Sequence, residues 1–162
     1  MHLSKSQEPP ESLPIIELSL EFKETLVGQS SDIIIKQVSI EHGLVELRAD
    51  DILVFRPDIS TFKEYTIPVL KDLLEVFTEI TDGIPRPYMC DNRYITGIVN
   101  KEEQRYIDAH FEKFATEMAM ITHSAPVRLI VNSYTKIFKP KVPIQLFKSE
   151  EEAIEWLLKK HE

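Results

Sequence analysis

Apolar and polar positions along the chain change period several times, and each change predicts an element. Ile16, Leu18, Leu20 and Phe22 alternate with polar neighbours, which predicts a strand inside a stretch bounded by Pro9, Pro10, Pro14 and Gly28. From Asp32 the runs IIIKQVSIEHG, LVEL at 44–47 and ILVF at 52–55 are β-rich, and Arg48 to Asp51 supply a hairpin loop. The period then lengthens to about 3.6. Val69, Leu70, Leu73, Leu74, Phe77 and Ile80 form one stripe, with Thr66 as N-cap, Pro68 in the first turn and Asp82 and Gly83 at the end. Tyr88, Met89 and Cys90 predict a short strand after two prolines.

A second helix is predicted from about Lys101, with Tyr106, Ile107, His110, Phe111, Phe114 and Met118 along one side and Asn100 with Glu103 as a capping box. Ala119 to Thr122 predict another strand. Pro126 opens a third helix that is apolar enough, through Val127, Leu129, Ile130, Val131, Tyr134, Ile137 and Phe138, to be largely buried. After the break at Lys139, Pro140, Lys141 and Pro143 come a strand over 144–147 and a final helix capped by Ser149 and Glu152. Antiparallel strands followed by alternating helices and strands predict an α/β fold: a mixed sheet, parallel in its later part, with about four helices packed against it. Residues 1–30 stand apart as an N-terminal extension, an extra strand or a flexible tail, and residues 31–162 form one domain.

Charge changes this picture in one respect. The formal net charge of −8 argues against a nucleic-acid partner. Residues 118–149 nevertheless contain no Asp or Glu, and Arg128, Lys136, Lys139, Lys141 and Lys148 lie within them. Of these, Arg128, Lys136, Lys139 and Lys141 are the candidate contacts for an anion or a protein partner. No apolar run approaches the roughly twenty residues of a spanning helix, and the N-terminus lacks the pattern of a secretory leader, so a soluble cytoplasmic protein is expected. The lone Cys90 excludes an internal disulfide, and no metal-ligand spacing is present, so neither a metal nor a cofactor is expected.

Candidate chemistry concentrates where the strand over 88–90 ends. Carboxyl ends of parallel strands and the helix N-termini after them share a crevice, which gathers Asp91, Asn92, Asn100, His123 and Ser124. Asp91, Asn92, Thr96 and Asn100 form the candidate docking or switch loop. Asp91 and Asn92 also turn a chain out of a sheet by bonding their own backbone. A hydrolase or transferase built on Asp91 and His123 is the minority reading, since no phosphate-binding loop, paired catalytic carboxylates or nucleophile elbow accompanies them. Cys90, without a base in a recognised spacing, is expected to be an inert buried thiol.

The order of elements, with RLIVNSYTKIFKPKVPIQLFKSEEEAIEWLLK at 128–159, resembles a bacterial group of STAS-like, STAS/SEC14-like small domains of unknown function, over about residues 32–162. That resemblance implies a non-enzymatic regulatory or protein-interaction module, with a protein partner or self-association. STAS relatives are switched by phosphorylation of a Ser or Thr at the start of the helix after a central strand, commonly in an Asp-Ser-Gly context. Here the strand end carries Asp91 and Asn92, with Thr96 and Gly97 further on. The SEC14-like side of the resemblance implies the alternative, a small-molecule or lipid-binding carrier with an apolar pocket beneath the 127–138 helix, taking a small apolar or anionic ligand.

Overall fold

The structure, a computed structural model, describes residues 16–17 and 33–159. The strands are β1 (Ile16–Glu17), β2 (Ile34–Ile40), β3 (Gly43–Arg48), β4 (Leu53–Pro57), β5 (Arg86–Asp91), β6 (Ala115–Ile121) and β7 (Ile144–Phe147). They form one seven-stranded sheet in which spatial order follows chain order. β1 through β4 pair antiparallel, and β4 through β7 pair parallel. The expected α/β mixed sheet is therefore present. Of the stretch expected as an N-terminal extension, Ile16–Glu17 pairs with Gln37 and Lys36, and the rest lies outside the described residues.

Short turns join β2 to β3 and β3 to β4. Gly43 has φ +149°, and a Cβ there would stand 2.2 Å from the Arg56 carbonyl oxygen, so only glycine lets β3 leave its turn this close to β4. The parallel strands need crossovers, supplied by α1 (Ile67–Ile80), α2 (Lys101–His110) and α3 (Ala125–Phe138). Thr66 caps α1, Pro68 occupies its first turn, and Asp82 and Gly83 end it at φ 54° and 72°. Asn100 and Glu103 form the expected reciprocal capping box on α2.

Side chains alternate across the parallel strands, and both faces are buried. Leu53, Phe55, Tyr88, Cys90 and Met118 pack on one face with Leu73, Phe77 and Ile80 of α1. Val54, Met89, Ala119 and Ile121 pack on the other against Ala153 and Leu157 of α4 (Glu150–Lys159). Phe77, Tyr88 and Phe114 hold the first layer together, with ring centroids 5.0 to 5.3 Å apart. The crossover helices share that layer, and among the described residues α4 is the helix that covers the second.

Two expectations are corrected. The second helix stops at His110, a 3-10 turn spans Phe111–Lys113, and Ala115–Ile121 is already strand, so Phe114 and Met118 lie outside the helix. Parallel pairing with β5, which sets Tyr88 opposite Met118, overrides the helical spacing of that segment. The 127–138 helix is not largely buried: Val127 is its one buried residue, and Leu129, Ile137 and Phe138 are 69 to 71% exposed. It lies across the sheet as a cover whose outer side faces away from the core.

Candidate functional site

The carboxyl ends of β4 and β5 place Arg56 and Asp91 close together, and the first residue of α4 brings Glu150 to them. Arg56 donates from Nη1 and Nη2 to Glu150 at 2.9 and 2.6 Å, and from Nε to Glu46 at 3.1 Å. Its Nη1 is also 3.6 Å from the Asp91 carboxylate. Asp91 in turn accepts from Arg93 Nε and Nη2 at 2.8 and 2.6 Å. Burial opposes ionisation of Asp91, but the guanidinium and backbone N–H of Arg93 outweigh it and hold the carboxyl below its usual range. Every donor nitrogen of the Arg56 fork is thus engaged by carboxylates.

The other residues expected at the carboxyl edge of the sheet each have their own partners. Asn100 caps α2, Ser124 caps α3, and His123 donates from Nε2 to the Lys148 carbonyl at 3.0 Å. Asp91 and His123 therefore serve different partners. Thr96 is exposed in the irregular segment 92–100, well before the first residue of α2. The four candidate cations lie along α3 and just after it. Arg128 donates to the Thr122 carbonyl at the start of α3, Lys136 is in its last turn, Lys139 caps its end at φ 43°, and Lys141 stands 3.7 Å from Glu112.

Asn92 belongs to a different constellation. Its backbone N–H donates to the Cys90 and Ile121 carbonyls, and its carbonyl accepts from Ile95, which fixes the chain as it leaves β5. Its side-chain Oδ1 accepts from the Tyr65 hydroxyl at 2.7 Å and from the Cys90 thiol at 3.1 Å. Burial pushes the Cys90 thiol up to about 11, against the hydrogen bonds of neighbouring tyrosine hydroxyls, and raises the Tyr65 hydroxyl as well. A neutral thiol with no base is not a nucleophile.

This polar cluster closes one part of an apolar cavity of about 180 Å³. Leu73 and Phe77 of α1, Ile107 of α2, and Val127, Val131 and Tyr134 of α3 line it between the helices and the sheet. Ile95, Ile98 and Val99 of the 92–100 segment add a further wall. Among the described residues lining it, none is Asp, Glu, Lys or Arg. Near α2, His110 donates from Nδ1 to the Tyr106 carbonyl at 2.7 Å and stacks on the Tyr106 ring, while the Tyr134 hydroxyl donates to Asp108. The cavity lies beneath the helix where an apolar pocket was expected, although Tyr65 and Ile95 carried no distinguishing mark in the sequence beyond apolar positions in irregular segments.

A family model described as a domain of unknown function, DUF7793, matches residues 45–161. No curated protein and no solved structure matches the chain.

Proposed function

We propose, for a chain that belongs to the DUF7793 family, that it works by binding, as a non-enzymatic module that takes a small apolar ligand into the cavity beneath α3. The observation that carries this reading is the cavity itself, apolar in its lining, bounded by α1, α2, α3 and the sheet, and covered by a helix with a single buried residue. An apolar cavity of about 150 Å³ accepts one benzene molecule. A volume of about 180 Å³ therefore suits one ring or a short chain, and the two acyl chains of a membrane lipid exceed it. An anion inside it would lose its water without meeting a cation. The STAS-like relationship is part of the proposal, supported by the mixed sheet and by the position of the 92–100 segment between a central strand and a helix. A cytoplasmic site of action belongs to the same proposal, and among the described residues no helix is long and apolar enough to cross a membrane.

Ligand-observed NMR with toluene tests the reading. Saturable binding is expected, and Val131→Phe, which places a ring in the cavity, is expected to abolish it while leaving the circular dichroism spectrum unchanged. Absence of saturable binding to the native chain would remove the reading. A second function, docking of a protein partner or self-association, is favoured by exposed Leu129 within α3 and Ile137 and Phe138 at its end. Sedimentation of the chain and of Ile137→Ser separates the two: a concentration-dependent mass lost in the variant supports docking, and a monomer in both opposes self-association there.

A further inference from the structure

Asn92 is the side chain of the inner polar cluster whose N–H donors are left over. It is 5% exposed and lines the cavity. Tyr65 and Cys90 both donate to its Oδ1, and its amide nitrogen makes no hydrogen bond among the described residues. Among the described residues the one fully buried side-chain polar atom without a partner is Arg86 Nε, so the Asn92 N–H keeps access to water, and a ligand that displaces that water must supply an acceptor in its place. The backbone bonds to Cys90, Ile121 and Ile95 hold the residue in place, so the donor is already oriented before anything binds.

The rest of the lining sets the other requirements. With no Asp, Glu, Lys or Arg among the described lining residues, the lining favours a neutral ligand. With about 180 Å³ to fill, it is the size of a single substituted ring, roughly six to ten non-hydrogen atoms. Aromatic side chains in the lining, among them Phe77, Phe114 and Tyr134, favour a flat ring over a branched aliphatic group.

We propose that the cavity selects a neutral, ring-sized compound carrying one carbonyl-type hydrogen-bond acceptor, which pairs with the Asn92 side-chain amide. The proposal rests on the ligand-binding reading above and specifies its chemistry. Specificity of this kind arises because the buried donor is left unpaired by an analogue that lacks the acceptor.

Three probes of nearly one shape test it: acetophenone, α-methylstyrene, in which a methylene replaces the carbonyl oxygen, and benzoate. Titration of the full chain is expected to show acetophenone binding roughly two- to tenfold more tightly than α-methylstyrene, the worth of one net hydrogen bond. Benzoate is expected not to bind. Asn92→Leu is expected to reverse the order of the two neutral probes. Should that variant fail to fold, the infrared carbonyl band of acetophenone bound to the native chain decides. A shift to lower frequency than in hexane supports the pairing. A band at the hexane position, α-methylstyrene binding as tightly as acetophenone, or benzoate binding best overturns the assignment to Asn92 while the cavity stands. Failure of both neutral probes to bind overturns the ligand-binding reading itself.

Discussion

Replacing Arg56 by Leu removes the one cation that, among the described residues, pairs with Glu46, Glu150 and Asp91 together. Two of those carboxylates are nearly withdrawn from water, with Glu46 and Asp91 side chains 9 and 12% exposed, while Glu150 retains 30%. Breaking one partner out of a buried ion pair costs about 3–5 kcal/mol, and exposed pairs are worth less than about 1 kcal/mol. The Arg56 side chain, 29% exposed, lies between these limits, and Arg93 still neutralises Asp91, so a loss of about 2–3 kcal/mol at pH 7 is expected. Urea unfolding followed by tryptophan fluorescence measures it through Trp156.

The pH dependence provides the sharper check. Glu150 is held below its usual value of 4.5, first by its hydrogen bond to Arg56. A depressed carboxylate contributes stability that is present above 4.5 and is lost as pH falls through its folded value. In Arg56→Leu that contribution is gone and protonation relieves the repulsion that remains, so the deficit should shrink as pH falls below 4.5. A deficit below about 1 kcal/mol at pH 7, or one that stays constant down to pH 4, would refute the assignment of Arg56 as the hub of this network.

Gly43→Ala is expected to destabilise by about 2 kcal/mol or more in the same urea assay, because the new Cβ meets the Arg56 carbonyl oxygen at 2.2 Å. Asn100→Ala removes the reciprocal cap of α2 and is expected to cost about 1 kcal/mol, read as a lowered thermal midpoint, with Asn100→Asp recovering most of it. The Cys90 thiol is raised by burial from 9.0 to about 11, so the stability of its neutral form is present below 9.0 and lost as pH rises through 11. Native chain should react slowly with a charged disulfide reagent at pH 8 and release one thiol equivalent on unfolding in urea; rapid native reaction would contradict the burial.

Legibility of the fold in the sequence followed locality. The stripe from Val69 to Ile80 and the spacing of Asn100 and Glu103 are complete within a few turns, and both formed as their pattern implied. Phe114 and Met118 continued the helical spacing of α2, and what made them strand was the neighbouring β5, invisible in a local window. The apolarity of 127–138 does not translate into burial, because sequence records which residues are apolar and not how much surface faces them. Arg56 and Glu150 are 94 positions apart, and because β7 lies three strands from β4, their pairing depends on α4 packing back across the sheet. Asn92 was marked as a loop residue of interest, but its relation to Tyr65 and to the cavity needed the packed helices on either side.

Because the seven strands lie side by side in the order in which the chain makes them, each newly synthesised strand meets a finished edge beside which it belongs. No strand has to insert between two others, and no later segment has to be awaited before an earlier pair can close. Such sequential contacts lower the loop-closure cost of each addition and shorten the time that an open edge stands exposed. Growth on the ribosome and growth of the sheet thus run in the same direction, with β7 adding the last edge and α4 closing the opposite face only at the end of the described chain.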